Sequence, residues 1–262
     1  MIKKLLMRYA HQYAPAVIIF IVIMFLWEFG VRIFEVERFI LPPPSAIWVT
    51  FVENFDRLVH IGWFTTSEAL GGFVIGCTLG IGTAFITARY VMVRETLMPF
   101  AIAANSVPIL AFAPIVNNWF GVDSRLSKMI IVAVIIFFPM MINTVRGLTL
   151  VDPAALELMR SYAASEYDIL TKLRIPNALP YMFSGFKVAA SLSMIGAVVA
   201  EYFGGNRSAL GVFITQEAAL FRFENSWSAI IIACAVGITF YLVILAVERF
   251  SIPWHVSFRE TN

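Results

Sequence analysis

The chain has 262 residues, of which 60% are hydrophobic and only 14% are charged, and its mean hydropathy is +0.83. A soluble domain of this size needs more charge to cover its surface, so the composition indicates an integral membrane protein. The net charge of +2 is not gathered into one basic patch, which argues against a nucleic-acid-binding protein. Cys77 and Cys234 lie inside apolar runs, and the sequence suggests no metal site.

Hydropathy predicts six membrane spans, each near the roughly 20 residues that cross a bilayer core. In chain order they cover residues 15–34, 63–88, 96–120, 128–145, 180–203 and 227–248. We expect the first to be a retained anchor, because no cleavage site of small residues follows it. The prolines at 42–44 then end any helix, and Ser45 is suited to cap an amphipathic segment over 46–58.

The second span carries three glycines at every fourth position, Gly72, Gly76 and Gly80. Such a stripe lets another helix approach closely, and in a membrane this packing drives helix association. We therefore predict a helix-packing face here, and the sequence leaves open whether the partner helix belongs to the same chain.

The third span combines three prolines with polar side chains, and acids occur at Glu68 in span two and Glu201 at the end of span five. Polar groups in lipid need protein partners or water, so we expect span three to border a cavity. A merely kinked structural helix is the alternative. The residues predicted to line the substrate path are Asn105, Ser106, Asn117, Asn118 and Glu201.

A polar segment over residues 152–178 separates spans four and five, and it is too basic to face lipid. Asp152 and Pro153 predict the start of a short helix, and Ser165 predicts the cap of a second helix over 165–173. Pro176 and Pro180 are expected to end this second helix. Two short amphipathic helices of this kind are suited to docking in a groove of a soluble partner, although a self-packed loop is the alternative.

The distribution of Lys and Arg predicts which side of the membrane each loop occupies. With both termini in the cytoplasm, twelve basic residues lie inside and seven outside. The inside set is Lys3, Lys4, Arg8, Arg89, Arg94, Arg146, Arg160, Lys172, Arg174, Lys187, Arg249 and Arg259. This orientation makes the 152–178 segment cytoplasmic.

No phosphate-binding P-loop, G-x-S-x-G or H-E-x-x-H motif occurs, so we predict no catalytic residues. The 152–178 segment instead resembles the loop E-A-A, three residues, G, nine residues, I-x-L-P of the permease subunits of bacterial ATP-binding-cassette (ABC) importers. Glu157 stands at the acidic position, Ala163 at the glycine, Leu173 at the isoleucine, and Ile175 with Pro176 at the closing pair. Leucine and methionine replace the two alanines.

Several further segments resemble the nitrate, sulfonate and taurine branch of that family. They are LPPPSAIW, NSVPILAFAPIVNNWFGVDSRLSK, FFPMMINTVRGLTLVDP and GFKVAASLSMIGAVVAEYFGG. The resemblance implies an all-α membrane protein with the type I importer permease fold, formed by a single domain over residues 1–262 in the bacterial inner membrane. It also implies two cytoplasmic ATP-binding subunits, a second permease copy or close relative, and an external solute-binding protein.

The resemblance further implies that the 152–178 segment couples the permease to the ATP-binding subunits. The implied coupling residues are Glu157, Leu158, Met159, Arg160, Tyr162, Ala163 and Ala164. ATP would be bound by the partner subunit, and this chain itself would need no cofactor. The implied function is solute import by alternating access.

AVVAEYFGG and the tail ERFSIPWHVSFRE are more similar to subunits for riboflavin or pyrimidine vitamin precursors than to those for nitrate. A nitrate, sulfonate or taurine permease is the alternative within the family. An ion-gradient-driven secondary transporter is the alternative of another class, and it would require an inverted repeat and buried ion ligands.

Overall fold

The computed structural model describes residues 2–253, with side chains from Ala14 onward. Arg259, the side chains of Lys3, Lys4 and Arg8, and the end of the tail therefore lie outside the described residues. Within this range the α-helices are α1 (Ile2–Ile33), α2 (Pro44–Glu53), α3 (Phe55–Arg89), α4 (Val91–Ala104), α5 (Ala113–Phe120), α6 (Arg125–Thr149), α7 (Pro153–Ser161), α8 (Glu166–Ile169), α9 (Ile175–Tyr202), α10 (Leu210–Ala219) and α11 (Phe223–Ser251).

Five of these helical stretches are long and apolar enough to cross a membrane, or six if the bent pair in the predicted third span counts as one crossing. Helix α3 has 35 residues and therefore a length of about 53 Å, well beyond a hydrocarbon core of roughly 30 Å. The all-α membrane fold predicted from hydropathy is confirmed.

The predicted third span is broken and not straight. Helix α4 ends at Ala104, a 3-10 turn follows over Ile109–Phe112, and the two halves meet at 80°. Pro108 stands at the break, where its ring removes a backbone N–H and disfavours a helical residue before it. The prolines therefore bend this span sharply in the middle.

The described residues divide into two compact units, one formed by residues 2–59 and 213–231 and the other by residues 60–212 and 232–253. In the first unit, Glu28 on α1 accepts hydrogen bonds from the backbone N–H of Ser45 at 3.0 Å and from its hydroxyl at 2.8 Å. Trp27 packs against Trp227 with ring centroids 5.0 Å apart. The predicted Ser45 cap is wrong: α2 begins at Pro44 with Pro43 as its N-cap and no side-chain cap hydrogen bond. Ser45 lies in the first turn of α2, where its N–H and hydroxyl donate to Glu28 of the preceding helix instead.

In the second unit, α6 and α9 pack extensively against each other. The glycine stripe of α3 lies against α6, because a Cβ atom at Gly72 would come within 2.5 Å of Val132 and one at Gly76 within 2.6 Å of the carbonyl oxygen of Ala133. A Cβ atom at Gly80 would lie 2.9 Å from the carbonyl oxygen of Phe137. The partner of the stripe is therefore a helix of the same chain.

Candidate functional site

The first candidate site is the polar segment between α6 and α9, which we call the coupling segment (residues 152–178). Its first helix, α7, begins as the sequence predicts: the Asp152 carboxylate accepts a hydrogen bond from the Ala154 N–H at 3.0 Å, and Pro153 occupies the first turn. An acidic cap accepts a hydrogen bond from a free N–H at the helix start, and a proline in the first turn has no N–H that needs a partner.

Helix α7 ends in a left-handed turn at Ala163, whose φ is +51°. The Ala163 N–H donates to the Arg160 carbonyl at 2.9 Å, and the Ala164 N–H donates to the Met159 carbonyl at 3.0 Å. These two bonds form a Schellman motif, a helix ending that normally places glycine at the left-handed position. Ala163, which stands where the family loop has glycine, therefore adopts the conformation that glycine would provide, at a steric cost.

The outward face of the coupling segment mixes apolar and charged side chains. Leu158 is 57% exposed and Tyr162 is 79% exposed. Glu157 and Arg160 are also exposed, and they form no ion pair within the described part of the chain. Met159 and Ala164 are half-buried and turn toward the protein. An exposed Leu and Tyr flanked by unpaired charges is the composition of a protein-docking surface.

The second half of the coupling segment differs from the sequence prediction. Ser165 caps α8 as expected, accepting from the Asp168 N–H at 3.1 Å, but α8 then runs through a π-helical turn (Leu170–Arg174) directly into α9. The prediction that Pro176 and Pro180 end the second helix is wrong, because both prolines lie within helical residues and the π-helical turn directly precedes Pro176. The wider turn accommodates a residue that donates no backbone hydrogen bond. Residues 166–202 thus form one continuous helical rod.

Asn177 fixes the base of the coupling segment, and the sequence analysis did not identify it. Its amide nitrogen donates to the Gly147 carbonyl at 2.8 Å and to the Leu150 carbonyl at 3.0 Å, which satisfies free carbonyls at the end of α6. Gly147 allows this approach, because a Cβ atom there would lie 2.7 Å from the Cα of Ala178. Both ends of the coupling segment are therefore clamped together at the membrane spans.

The second candidate site is a buried polar cluster formed by Glu68, Asn117, Lys128 and Glu201. Glu68 is 2%, Lys128 1% and Glu201 1% exposed. The Lys128 ammonium donates to the Asn117 amide oxygen at 3.0 Å and to the Val122 carbonyl. Glu201 accepts the Gly211 N–H at 2.6 Å. The structure thus brings together Asn117 and Glu201, both predicted path residues, and adds Lys128, the first residue of the predicted fourth span, which was not among the predicted path residues.

The cluster contains two acids and one lysine, so the positive charge offsets only one carboxylate. One oxygen of each acid, Glu68 Oε2 and Glu201 Oε1, has no donor among the described residues. Buried oxygens without donors are costly, so this site favours a proton or a solute donor group that would satisfy them. Glu201 does not face open solvent in this conformation.

The other three predicted path residues lie apart from this cluster. Asn105 and Ser106 are exposed at the break of span three, and Asn118 is exposed on α5. Polar side chains exposed to lipid are costly, so these amides and this hydroxyl need hydrogen-bond partners from protein or water.

An ion pair joins the membrane helices α9 and α11. The Lys187 ammonium on α9 donates to both carboxylate oxygens of Glu248 on α11, at 3.1 and 2.8 Å. Lys187 had been assigned to the basic cytoplasmic set from sequence, but the structure places it within α9 as part of a helix-to-helix contact. The two residues are 61 positions apart, so no local sequence pattern could predict that they form a pair.

Comparison with known proteins identifies relatives along most of the chain. The family described as "Binding-protein-dependent transport system inner membrane component" matches residues 76–253. The formylaminopyrimidine transport permease protein ThiX of Halalkalibacterium halodurans is 27% identical over 249 residues, covering 95% of this chain and 98% of that protein. The riboflavin transport system permease protein RibX of Chloroflexus aurantiacus is 29% identical, covering 88% and 86%.

A putative aliphatic sulfonates transport permease protein, SsuC of Bacillus subtilis, is 29% identical and covers 93% of this chain and 87% of that protein. A crystal structure of an amino acid ABC transporter with histidines superposes with a TM-score of 0.61 at 16% identity, covering 77% of this chain and 97% of that chain. That likeness confirms the fold. The named relatives are permease proteins, which are transport components and not enzymes.

Proposed function

The chain belongs to the family of binding-protein-dependent transport system inner membrane components, and we propose that its coupling segment receives the work of ATP hydrolysis. As a member, it is a multi-pass permease subunit of an ABC importer that works with a solute-binding protein and an ATPase.

One observation carries the proposal: an exposed docking surface is joined by a short hydrogen-bonded turn to a continuous helix that enters the membrane. Leu158 and Tyr162 project outward beside Glu157 and Arg160 on α7, and the turn at Ala163 connects α7 to the rod of residues 166–202. A helical rod transmits displacement, whereas a flexible linker would absorb it. Closure of an ATPase dimer against this surface would move α9, and α6 would follow because Asn177 ties it to α9.

The proposed orientation places the coupling segment and both termini in the cytoplasm. In support, the Arg89 guanidinium in the α3–α4 turn lies 3.9 Å from Glu166 of the coupling segment, so two segments assigned to the same side from their charge are neighbours. The excess of Lys and Arg on this side agrees with the positive-inside rule. Labelling of Ser161→Cys and Arg207→Cys, in a background without native cysteines, tests this: only Arg207→Cys should react with an impermeant reagent added to whole spheroplasts.

We propose that two permease chains assemble with two ATP-binding subunits, and that ATP binds to those subunits and to no site on this chain. The exposed Asn105, Ser106 and Asn118 support a second permease chain, because a path completed at this face would shield them from lipid. Nearby, an apolar cavity of about 380 Å³ includes Phe112 and Trp119 in its lining.

The solute we propose is a small, neutral or modestly polar organic ring compound, of the riboflavin or pyrimidine-precursor kind. The aromatic lining of the 380 Å³ cavity can stack on a planar ring, and the neighbouring amides can accept and donate hydrogen bonds. The names of two relatives, a formylaminopyrimidine and a riboflavin permease, support this solute class. An aliphatic sulfonate is the competing solute, after the third relative.

Uptake into proteoliposomes that contain the permease, its ATPase and its binding protein tests the coupling role. The double variant Glu157→Ala/Arg160→Ala removes both unpaired charges of the docking surface, and loss of a docking contact of roughly 2 kcal/mol would weaken ATPase binding about thirtyfold. The matched control is Glu37→Ala/Arg38→Ala, which removes an exposed acid and an exposed base elsewhere. Uptake should fall in the first variant only, and wild-type uptake there would refute the assigned role.

The same vesicles separate the transport classes and the solutes. With ATP present and the ion gradient dissipated, an ABC importer continues to accumulate solute, whereas a secondary transporter stops. Competition by unlabelled riboflavin, a pyrimidine precursor or an aliphatic sulfonate identifies the solute class, and inhibition by the sulfonate alone would overturn the proposed ring compound.

A further inference from the structure

A cavity of about 370 Å³ opens between the α3–α4 turn and the second half of the coupling segment. Its polar wall carries three arginines, Arg89, Arg94 and Arg174, and we call it the arginine pocket. Among the described residues that line it, Glu166 is the only acid. The pocket is separate from the docking surface on α7 and from the buried polar cluster.

The charges in the arginine pocket do not balance. Only Arg89 reaches the acid, and the 3.9 Å separation between exposed groups makes that pair weak. Arg94 and Arg174 are half-buried, and neither forms an ion pair with any residue in the described range. Three guanidinium groups around one carboxylate leave an excess of two positive charges. Guanidinium forks of this kind match the paired oxygens of a phosphate group.

The floor of the pocket is apolar. Phe85, Leu148 and Leu170 line it, and these residues belong to a hydrophobic cluster that also includes Ala88 and Ala178. A freely soluble phosphate compound gains nothing from such a floor, whereas the glycerol backbone and first acyl carbons of a lipid bury apolar surface there.

The surroundings place the pocket at the depth of the lipid headgroups. The apolar span α3 ends at Arg89, and α4 begins at Val91, so the pocket lies where the spans leave the membrane. Tyr90 and Tyr167 are exposed beside it, and tyrosine is enriched at membrane–water interfaces. Met92, also exposed, continues the apolar surface from the pocket along α4.

We propose that the arginine pocket binds the phosphate group of an anionic membrane lipid, with its acyl chains lying against α3 and α4. The guanidinium groups of Arg94 and Arg174 contact the phosphate oxygens, and the lipid bridges the α3–α4 turn and the coupling segment. That the lipid belongs to the inner leaflet rests on the proposed orientation, but the binding itself does not. Basic pockets of this kind between membrane helices are known to hold anionic headgroups.

The test measures lipid binding to the purified full-length permease. Native mass spectrometry and thermal unfolding are recorded with phosphatidylglycerol, with zwitterionic phosphatidylcholine and with inorganic phosphate. The test variant is Arg94→Gln/Arg174→Gln, and the matched control is Arg207→Gln/Arg222→Gln, which removes two exposed arginines far along the chain. Phosphatidylglycerol should bind in preference to phosphatidylcholine, and the test variant should weaken that binding roughly thirtyfold, with no change in the control.

Should the double variant not fold, Arg94→Gln alone serves, with an expected weakening of roughly fivefold, and Arg94→Lys should recover part of the loss. Equal binding of the two lipids, or unchanged phosphatidylglycerol binding in the test variant, refutes the proposal. An equal thermal shift with inorganic phosphate assigns the pocket to a soluble phosphate and also refutes it. Loss of ATPase copurification with intact lipid binding would show a protein contact instead. Uptake by the Glu157→Ala/Arg160→Ala variant reports on coupling independently of all these outcomes.

Discussion

The left-handed alanine that ends α7 leads to a prediction in which substitution by glycine stabilises the coupling segment. Ala163 has φ +51° and forms two hydrogen bonds of a Schellman motif. An L-residue pays roughly 1–2 kcal/mol for this conformation, and Ala163→Gly releases that strain. Glycine also lowers the stability of the folded segment by about 0.4–1 kcal/mol, because the opened chain has more conformational entropy with glycine than with alanine. The net gain is about 0.5–1 kcal/mol, which lowers the local opening equilibrium about two- to fivefold.

Amide hydrogen exchange on the reconstituted permease measures this opening, in peptides that cover residues 159–168. The protected amides are those of Ala163 and Ala164, which donate the two Schellman bonds. Exchange should slow about two- to fivefold in Ala163→Gly. The control is Ala164→Gly, at a position outside the left-handed region, where only the entropic penalty applies and exchange should accelerate. Faster exchange in Ala163→Gly would show that the left-handed turn carries no strain and would refute the reasoning.

Three further substitutions test contacts between membrane helices and at the base of the coupling segment, each by thermal unfolding in detergent. Gly76→Ala should destabilise the protein by about 1–3 kcal/mol, because its Cβ would overlap Ile136 and the carbonyl oxygen of Ala133. The control Gly82→Ala, whose Cβ meets nothing within 4 Å, should leave the melting temperature unchanged. Equal shifts in the two variants would contradict the close helix contact. Glu248→Gln should lower the free energy of unfolding by about 3–5 kcal/mol, because it leaves the Lys187 charge unpaired. The further change Lys187→Met should recover most of this loss. An unaltered melting temperature in the single variant would show that the pair is dispensable. Asn177→Ala should cost about 1–3 kcal/mol by exposing two carbonyls without donors, and a neutral effect would argue against the clamp at the base of the coupling segment.

Local patterns in the sequence were sufficient for the features that depend on neighbouring residues. Runs of apolar residues predicted the spans, Asp152 with Pro153 predicted the start of α7, and Ser165 predicted the cap of α8. The glycine stripe predicted a face for close packing, and the structure shows which helix occupies it. These features follow from periodicity and capping, which act within a few residues.

The features that the sequence did not reveal depend on contacts between distant residues. The pairing of Lys187 with Glu248 and the clamp formed by Asn177 join residues 61 and about 30 positions apart. Pro176 was expected to end a helix because proline cannot donate a backbone hydrogen bond, but the preceding π-helical turn lets the helix continue through it, and nothing in the local sequence announces that turn. The burial of Lys128 could not be predicted from the sequence, because the residues just before it are polar, as at the end of an exposed loop.

The π-helical turn at Leu170–Arg174 has a consequence for the angular phase of the whole rod. A turn of this kind holds one residue more than an α-helical turn, and each residue rotates a helix by about 100°. If the five residues rewound into a regular α-helix with none removed, α8 would swing by roughly a quarter of a revolution relative to α9, whereas deletion of one residue there would leave the two helices nearly in phase. The direction in which α8 faces is therefore set by the geometry of this turn, while every contacting side chain keeps its identity.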